Sequence, residues 1–82
     1  EQAAGKFRLL LVIEDDVNFA KILYDLSHEM DFRCIVAQKA DEGIEAAVEY
    51  LPHAIILDLH LPDHSGLTVL DRLKMDARTR HI

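Results

Sequence analysis

Two stretches of this sequence join an unbroken apolar run to carboxylates. Leu9-Leu10-Leu11-Val12-Ile13 runs into Glu14, Asp15 and Asp16, and Ala54-Ile55-Ile56-Leu57 runs into Asp58. A strand interior cannot hold a bare carboxylate cheaply, so these acids belong at the C-terminal ends of strands. In an open α/β sheet that rim is where ligands bind. Neighbouring strands lie about 4.8 Å apart, so if these two are neighbours, Glu14, Asp15 and Asp58 converge. Three unpaired carboxylates in one pocket repel one another and invite a cation. An all-oxygen set suits a hard ion, and Mg²⁺ with several retained waters is the natural choice. No Cys/His set has zinc spacing, and His60 and His64 read as surface histidines, because imidazole is a poor Mg²⁺ ligand. A carboxylate can attack phosphorus to give an acyl phosphate, with a cation relieving the repulsion between anionic nucleophile and anionic donor. The plainer alternatives are that the acids merely solvate the rim, and that Asp58 only opens the turn-rich Leu61-Pro62-Asp63-His64-Ser65-Gly66 segment.

The elements that must position these acids are legible as alternating patterns. Continuous apolar character over Ala54–Leu57 predicts a strand buried on both faces, around which the rest is organised. Arg8–Ile13 predicts a second such strand. Phe32–Ala37 predicts a third, and Arg33 within it suits a sheet edge. Between them, Phe19, Ile22, Leu23, Leu26 and Met30 recur at helical spacing as one apolar stripe, with Asp16 or Asn18 as the cap. A second helix is expected to start from a cap at Asp41, to bury Ile44, Ala47, Val48 and Leu51, and to stop at Pro52. Ser65 is expected to cap a third, with Leu67, Leu70, Leu73 and the stem of Lys74 facing inward. After Asp76 the pattern dissolves, and residues 1–7 read as a linker or frayed end. The order β-α-β-α-β-α predicts an α/β parallel sheet with right-handed crossovers. The first strand–helix turn holds no glycine, which excludes a dinucleotide or P-loop phosphate site.

Composition narrows the function classes. Eighty-two residues, half of them hydrophobic, suffice for one small globular domain. A net charge of −6 argues against direct nucleic-acid binding, which needs clustered Lys and Arg. Cys34 is the only cysteine and reads as a small buried hydrophobe. The lack of a possible intrachain disulfide fits a reducing, cytoplasmic setting. No apolar run is long enough to span a bilayer and no signal-peptide pattern is present, so no membrane contact is expected.

The stretches Leu10-Leu11-Val12-Ile13-Glu14-Asp15-Asp16, Ile55-Ile56-Leu57-Asp58-Leu59 and Leu61-Pro62-Asp63-His64-Ser65-Gly66, in that order and separation, resemble the receiver domain of two-component response regulators. The resemblance runs from Arg8 onward. It implies a three-layer flavodoxin-like parallel sheet, with strand order 2-1-3 in the part present and 2-1-3-4-5 in the whole family. It also implies that Asp58 accepts phosphate from a histidine kinase or histidine phosphotransfer protein. Glu14 and Asp15 would then hold Mg²⁺ together with Asp58 and the backbone carbonyl of His60. Ser65 stands where the family often has Asp, and either caps the helix. The family's further strands, with a Ser or Thr and a Lys that contact the phosphoryl group, have no counterpart up to Ile82, and Lys74 matches no motif position. Residues 8–82 are therefore expected to be the N-terminal part of a receiver domain.

Other readings compete. Ser27-His28-Glu29-Met30 resembles the start of a sensor-kinase phosphohistidine box but continues Asp31-Phe32 instead of the required Arg-Thr-Pro. A haloacid-dehalogenase-like phosphatase also places its nucleophilic Asp after an apolar strand, but wants a second Asp where this chain has His60. A receiver-like interaction module without phosphotransfer is the third alternative. The resemblance allows either a response regulator or a hybrid histidine kinase as the parent, the domain itself being expected to be no turnover enzyme. Strand order 2-1-3 would leave the third strand as an apolar open edge, which predicts poor stability or self-association of the 82-residue chain alone.

Overall fold

The computed structural model describes residues 8–82; the linker expected over 1–7 lies outside them. Six elements alternate: β1 (Arg8–Ile13), α1 (Val17–Glu29), β2 (Phe32–Ala37), α2 (Ala40–Tyr50), β3 (Ala54–Leu57) and α3 (Gly66–Met75). The strands form one parallel sheet in the order β2-β1-β3. Leu11 pairs with Ile35 on one side and Ile55 on the other, and Ile13 with Ala37 and Leu57. This register brings the C-terminal ends of β1 and β3 level, with Glu14 and Asp58 each one residue beyond.

The centre of the molecule is β1, not β3. Leu11, Val12 and Ile13 are essentially inaccessible to solvent, whereas β3 is only half-buried and Ile56 is 41% exposed. Both strands have the continuous apolar character of a doubly covered strand, but only the middle strand of three receives cover on both faces and both edges. Side chains alternate across a strand. Leu11 and Ile13 accordingly point into a core shared with Ala37, Ala40, Ala47, Val69 and Leu73 of the α2/α3 layer. Leu10 and Val12 point to the opposite layer, where α1 lies across β1 and β2.

Asp16 caps α1, its Oδ1 accepting the Asn18 and Phe19 amides at 3.0 and 3.1 Å. The face of α1 turned to the sheet differs from expectation. Ala20 and Ser27 are buried and Leu23 half-buried, while Phe19, Ile22, Leu26 and Met30 are exposed. At 3.6 residues per turn the large apolar stripe is rotated about a quarter turn from the buried one. Small residues let the helix approach the sheet closely, and Ser27 loses no hydrogen bond there, since its hydroxyl donates to the Tyr24 carbonyl at 2.7 Å.

In α2 the residues turned inward are Ala40, Gly43 and Ala47, with Ile44 and Val48 half-buried. The helix ends before Pro52, as expected, but Leu51 is exposed at its C-cap in the left-handed region (φ 47°, ψ 61°), a conformation that costs a non-glycine residue about 1 kcal/mol. In α3 the buried positions are Gly66, Val69 and Leu73; Leu67 and Leu70 are exposed. The segment after Asp76 is ordered by specific bonds that composition does not reveal. Thr79, fully buried, donates from Oγ1 to the Leu73 carbonyl at 2.7 Å, and Lys74 Nζ donates to the carbonyls of Arg80 and Ile82 at 3.0 and 2.9 Å. Arg78 grips Asp76 with two nitrogens and holds its carboxyl down at about 2. No helix among the described residues is long and apolar enough to cross a membrane.

Candidate functional site

Backbone bonds at the strand ends set the site. The Glu14 amide donates to the Ala37 carbonyl at 2.9 Å, and the Asp58 amide donates to the Ile13 carbonyl at 2.9 Å. The chain leaving β1 is thus tied to β2 on one side and to the chain leaving β3 on the other. One carboxylate oxygen from each of Glu14, Asp15 and Asp58 lies within 4.8 Å of the others. The convergence expected of adjacent strand ends is present.

Local bonds orient the acids. Glu14 Oε2 accepts the Asp16 amide at 3.1 Å, and Asp58 Oδ1 accepts the His60 amide at 3.1 Å. Burial pushes the Glu14 carboxyl above its ordinary value, and the charges of Asp58 and Asp15 add to the effect. Asp58 moves the other way, chiefly because the His60 amide favours the charged form. Of these two, Glu14 is displaced toward its neutral form and Asp58 toward its charged form.

The loop from Leu59 to Ser65 closes over itself. His60 and Ser65 form an antiparallel bridge, and the Gly66 amide donates to the Leu59 carbonyl at 2.9 Å. Ser65 caps α3 as expected, accepting the Leu67 amide at 3.1 Å. Gly66 is needed for space: a Cβ there would sit 2.3 Å from the Asp58 carbonyl oxygen and 2.6 Å from Leu59 Cα. Its place after a turn was evident in the sequence; its contact with the backbone of Asp58 was not. A groove of 390 Å³ opens beside the acids, bordered by Asp15, His60, Pro62 and the exposed Leu59 and Leu67.

A second polar cluster joins Asp41, Asp63 and His64. Asp63 Oδ1 accepts the Ala40 amide at 2.7 Å and Oδ2 accepts the Asp41 amide at 3.1 Å, while His64 Nε2 lies 3.4 Å from Asp41 Oδ1. Both oxygens of Asp63 are thus committed to the first turn of α2. This corrects the expected cap. Asp41 lies inside the helix, the N-cap position is Lys39 with no side-chain bond, and Asp63 supplies the missing acceptor from the loop between β3 and α3. Asp41 offered a local cap in the sequence, and only the start of the helix at Ala40 leaves Lys39 at the N-cap position and the first amides in need of a remote partner.

Comparison with known proteins agrees with this geometry. Residues 10–82 match the response regulator receiver domain family. The chain is 33% identical over 73 residues to the polar-differentiation response regulator DivK of Brucella ovis, covering 89% of this chain and 59% of that protein. Among solved structures, a sensor protein from Polaromonas superposes with a TM-score of 0.88 at 28% identity, over 92% of this chain and 60% of the other. The N-terminal domain of a response regulator receiver protein from Methanoculleus marisnigri gives 0.86 at 27% identity, over 90% and 60%. The chain spans about three-fifths of the length of these relatives. The match takes in both acidic strand ends and the loop that closes over Asp58, and this chain belongs to the response regulator receiver domain family.

Proposed function

We propose that this domain accepts a phosphoryl group on Asp58 from the phosphohistidine of a histidine kinase or histidine phosphotransfer protein. The observation that carries the reading is the approach of three carboxylate oxygens to within 4.8 Å of one another at the C-terminal rim of the sheet. The donor set is all oxygen, it carries uncompensated negative charge, and Glu14 is already pushed toward its neutral form. These features fit Mg²⁺, held by Glu14, Asp15, Asp58 and the backbone carbonyl of His60. When bound, the cation supplies charge neutralisation between the anionic acceptor and the anionic donor.

The chain's own residues do the rest. The His60 amide fixes Asp58 Oδ1, leaving the second oxygen to attack phosphorus. As the new O–P bond forms, the N–P bond of the donor breaks. Its electron pair returns to the imidazole nitrogen, which takes a proton from water. The groove walled by Leu59, Pro62 and Leu67 gives the donor an apolar surface beside the acceptor. The domain acts as a cytoplasmic signalling module within a response regulator or a hybrid histidine kinase, without direct nucleic-acid or membrane contact. Its family membership leaves the phosphatase alternative without support.

Mg²⁺ titration should move the amides of Glu14, Asp15, Asp58 and His60 first; largest shifts elsewhere would overturn the assignment. The pH dependence has a definite sign. Glu14 is raised, so between its ordinary value of 4.5 and its folded value the folded chain holds more protons than the unfolded one, and stability falls as pH rises through that window. Charged Glu14 is thus a stability cost at neutral pH that a bound cation relieves. Asp58 is lowered, so its contribution is present above its ordinary value and lost as pH falls through the folded one. Thermal melts should show Mg²⁺ stabilising the domain by about 1.4 kcal/mol at ten times its dissociation constant. This gain should fade on acidification as Glu14 takes a proton. A gain that persists in acid would contradict the site.

The outer edge of β3 carries no strand among the described residues, and Ile56 is exposed beside it. We propose that the 82-residue chain by itself associates through this edge, because open apolar edges recruit other strands. Sedimentation should reveal concentration-dependent species; a stable, cooperative monomer would refute this.

A further inference from the structure

We propose that Asp63 is a positioning residue for the acceptor site, acting from the first turn of α2 through the loop that carries His60. The inference rests on the reading of Asp58 as acceptor. Its observations form a closed ring. Asp63 takes the Ala40 and Asp41 amides at 2.7 and 3.1 Å, and His64 adds a contact to Asp41 at 3.4 Å, so the tip of the loop is gripped by α2. The base of the loop is closed by the His60–Ser65 bridge and by the Gly66 amide on the Leu59 carbonyl. From that base the His60 amide holds Asp58 Oδ1, and the Asp58 amide returns to the Ile13 carbonyl. The ring is completed in the core. A Cβ on Gly43 of α2 would come within 2.5 Å of the Ile13 side chain, so α2 lies tightly against the residue preceding Glu14.

A loop tied at base and tip has little freedom; one tied only at its base can swing. Loss of the Asp63 bonds frees the tip, and the His60 backbone then no longer holds one position relative to Asp58. The carboxyl and the His60 carbonyl lose their common geometry even though neither is altered. Groups that orient ligands in this way change ion affinity when removed, without touching the ion.

The test uses the full-length protein with Asp63→Ala, Asp63→Asn and the double variant Asp63→Ala/Lys39→Ser. The last gives α2 a local cap in place of the remote one. Three quantities are read: the Mg²⁺ dissociation constant from amide shifts, exchange of the His60 amide, and the melting temperature. Asp63→Ala is expected to weaken Mg²⁺ about tenfold and to speed exchange at His60. Asp63→Asn keeps one acceptor but sets its amide nitrogen against the other backbone N–H, so it should fall between Asp63→Ala and the parent. The double variant should recover its melting temperature but not its Mg²⁺ affinity. If affinity returns together with stability, Asp63 only stabilises α2 and the proposal is overturned. It is equally overturned if Asp63→Ala leaves both the Mg²⁺ affinity and the His60 exchange unchanged, because the loop would then hold its place without the clamp. A parent protein that binds no Mg²⁺ would sink the functional reading instead, while His60 exchange still reports on the clamp.

Discussion

Asp58→Asn is expected to abolish acceptance of phosphate from a phosphohistidine or a small-molecule phosphodonor in the full-length protein. The substitution keeps the shape of the side chain and an acceptor for the His60 amide, but an amide oxygen is too weak a nucleophile for phosphorus. It gives up the stability that ionised Asp58 contributes above its ordinary value, so a thermal melt run beside the labelling assay separates loss of the nucleophile from loss of the fold. Intact-mass spectrometry is expected to show an unmodified variant beside a labelled parent. Undiminished labelling would move the acceptor to Asp15 or Asp16.

Gly66→Ala is expected to be the most damaging single methyl in the domain. None of the described glycines has a positive φ, so conformational freedom is not the issue. The added carbon would stand 2.3 Å from a carbonyl oxygen and 2.6 Å from a Cα, both backbone atoms of the acceptor segment. A side-chain neighbour could rotate away, but here α3 or the Asp58–Leu59 backbone must shift. Overpacking of this kind costs about 3 kcal/mol, and the shift falls on the acceptor itself. Urea unfolding should show the loss of stability, and Mg²⁺ affinity should fall with it. A change below about 0.5 kcal/mol, the range of surface substitutions, would mean that the turn is looser than its contacts indicate.

The parts of this fold that depend on local pattern were legible in the sequence, and the parts that depend on remote partners were not. All three strands occupy the apolar runs that predicted them, because a continuous run of four to six apolar residues has few other stable placements. The acidic rim followed, since residues beyond those runs must emerge at one end of a parallel sheet. Helix faces were less secure. In α3, Leu67, Leu70 and Leu73 suggested the inward face, but the close approach of Gly66 to Asp58 turns Val69 and Leu73 inward and leaves Leu67 outside. In α1, hydrophobic size pointed to Phe19, Ile22 and Leu26, whereas contact with β2 selects Ala20 and Ser27. Periodicity reports that a face is apolar, not which neighbour covers it. Most opaque was Asp63, whose partners lie 22 and 23 residues away. An Asp after Leu-Pro reads as a turn residue until the other end of its bonds is known.

The central claim is that the carboxylates at the ends of β1 and β3 form one cation-dependent acceptor. It is tested most directly by mapping the acyl phosphate in the full-length parent protein, incubated with phosphodonor in the presence of Mg²⁺ or of a chelator. The account predicts one labelled residue, Asp58, and no labelling once the cation is removed. Labelling at another residue, or at Asp58 irrespective of the cation, would contradict it.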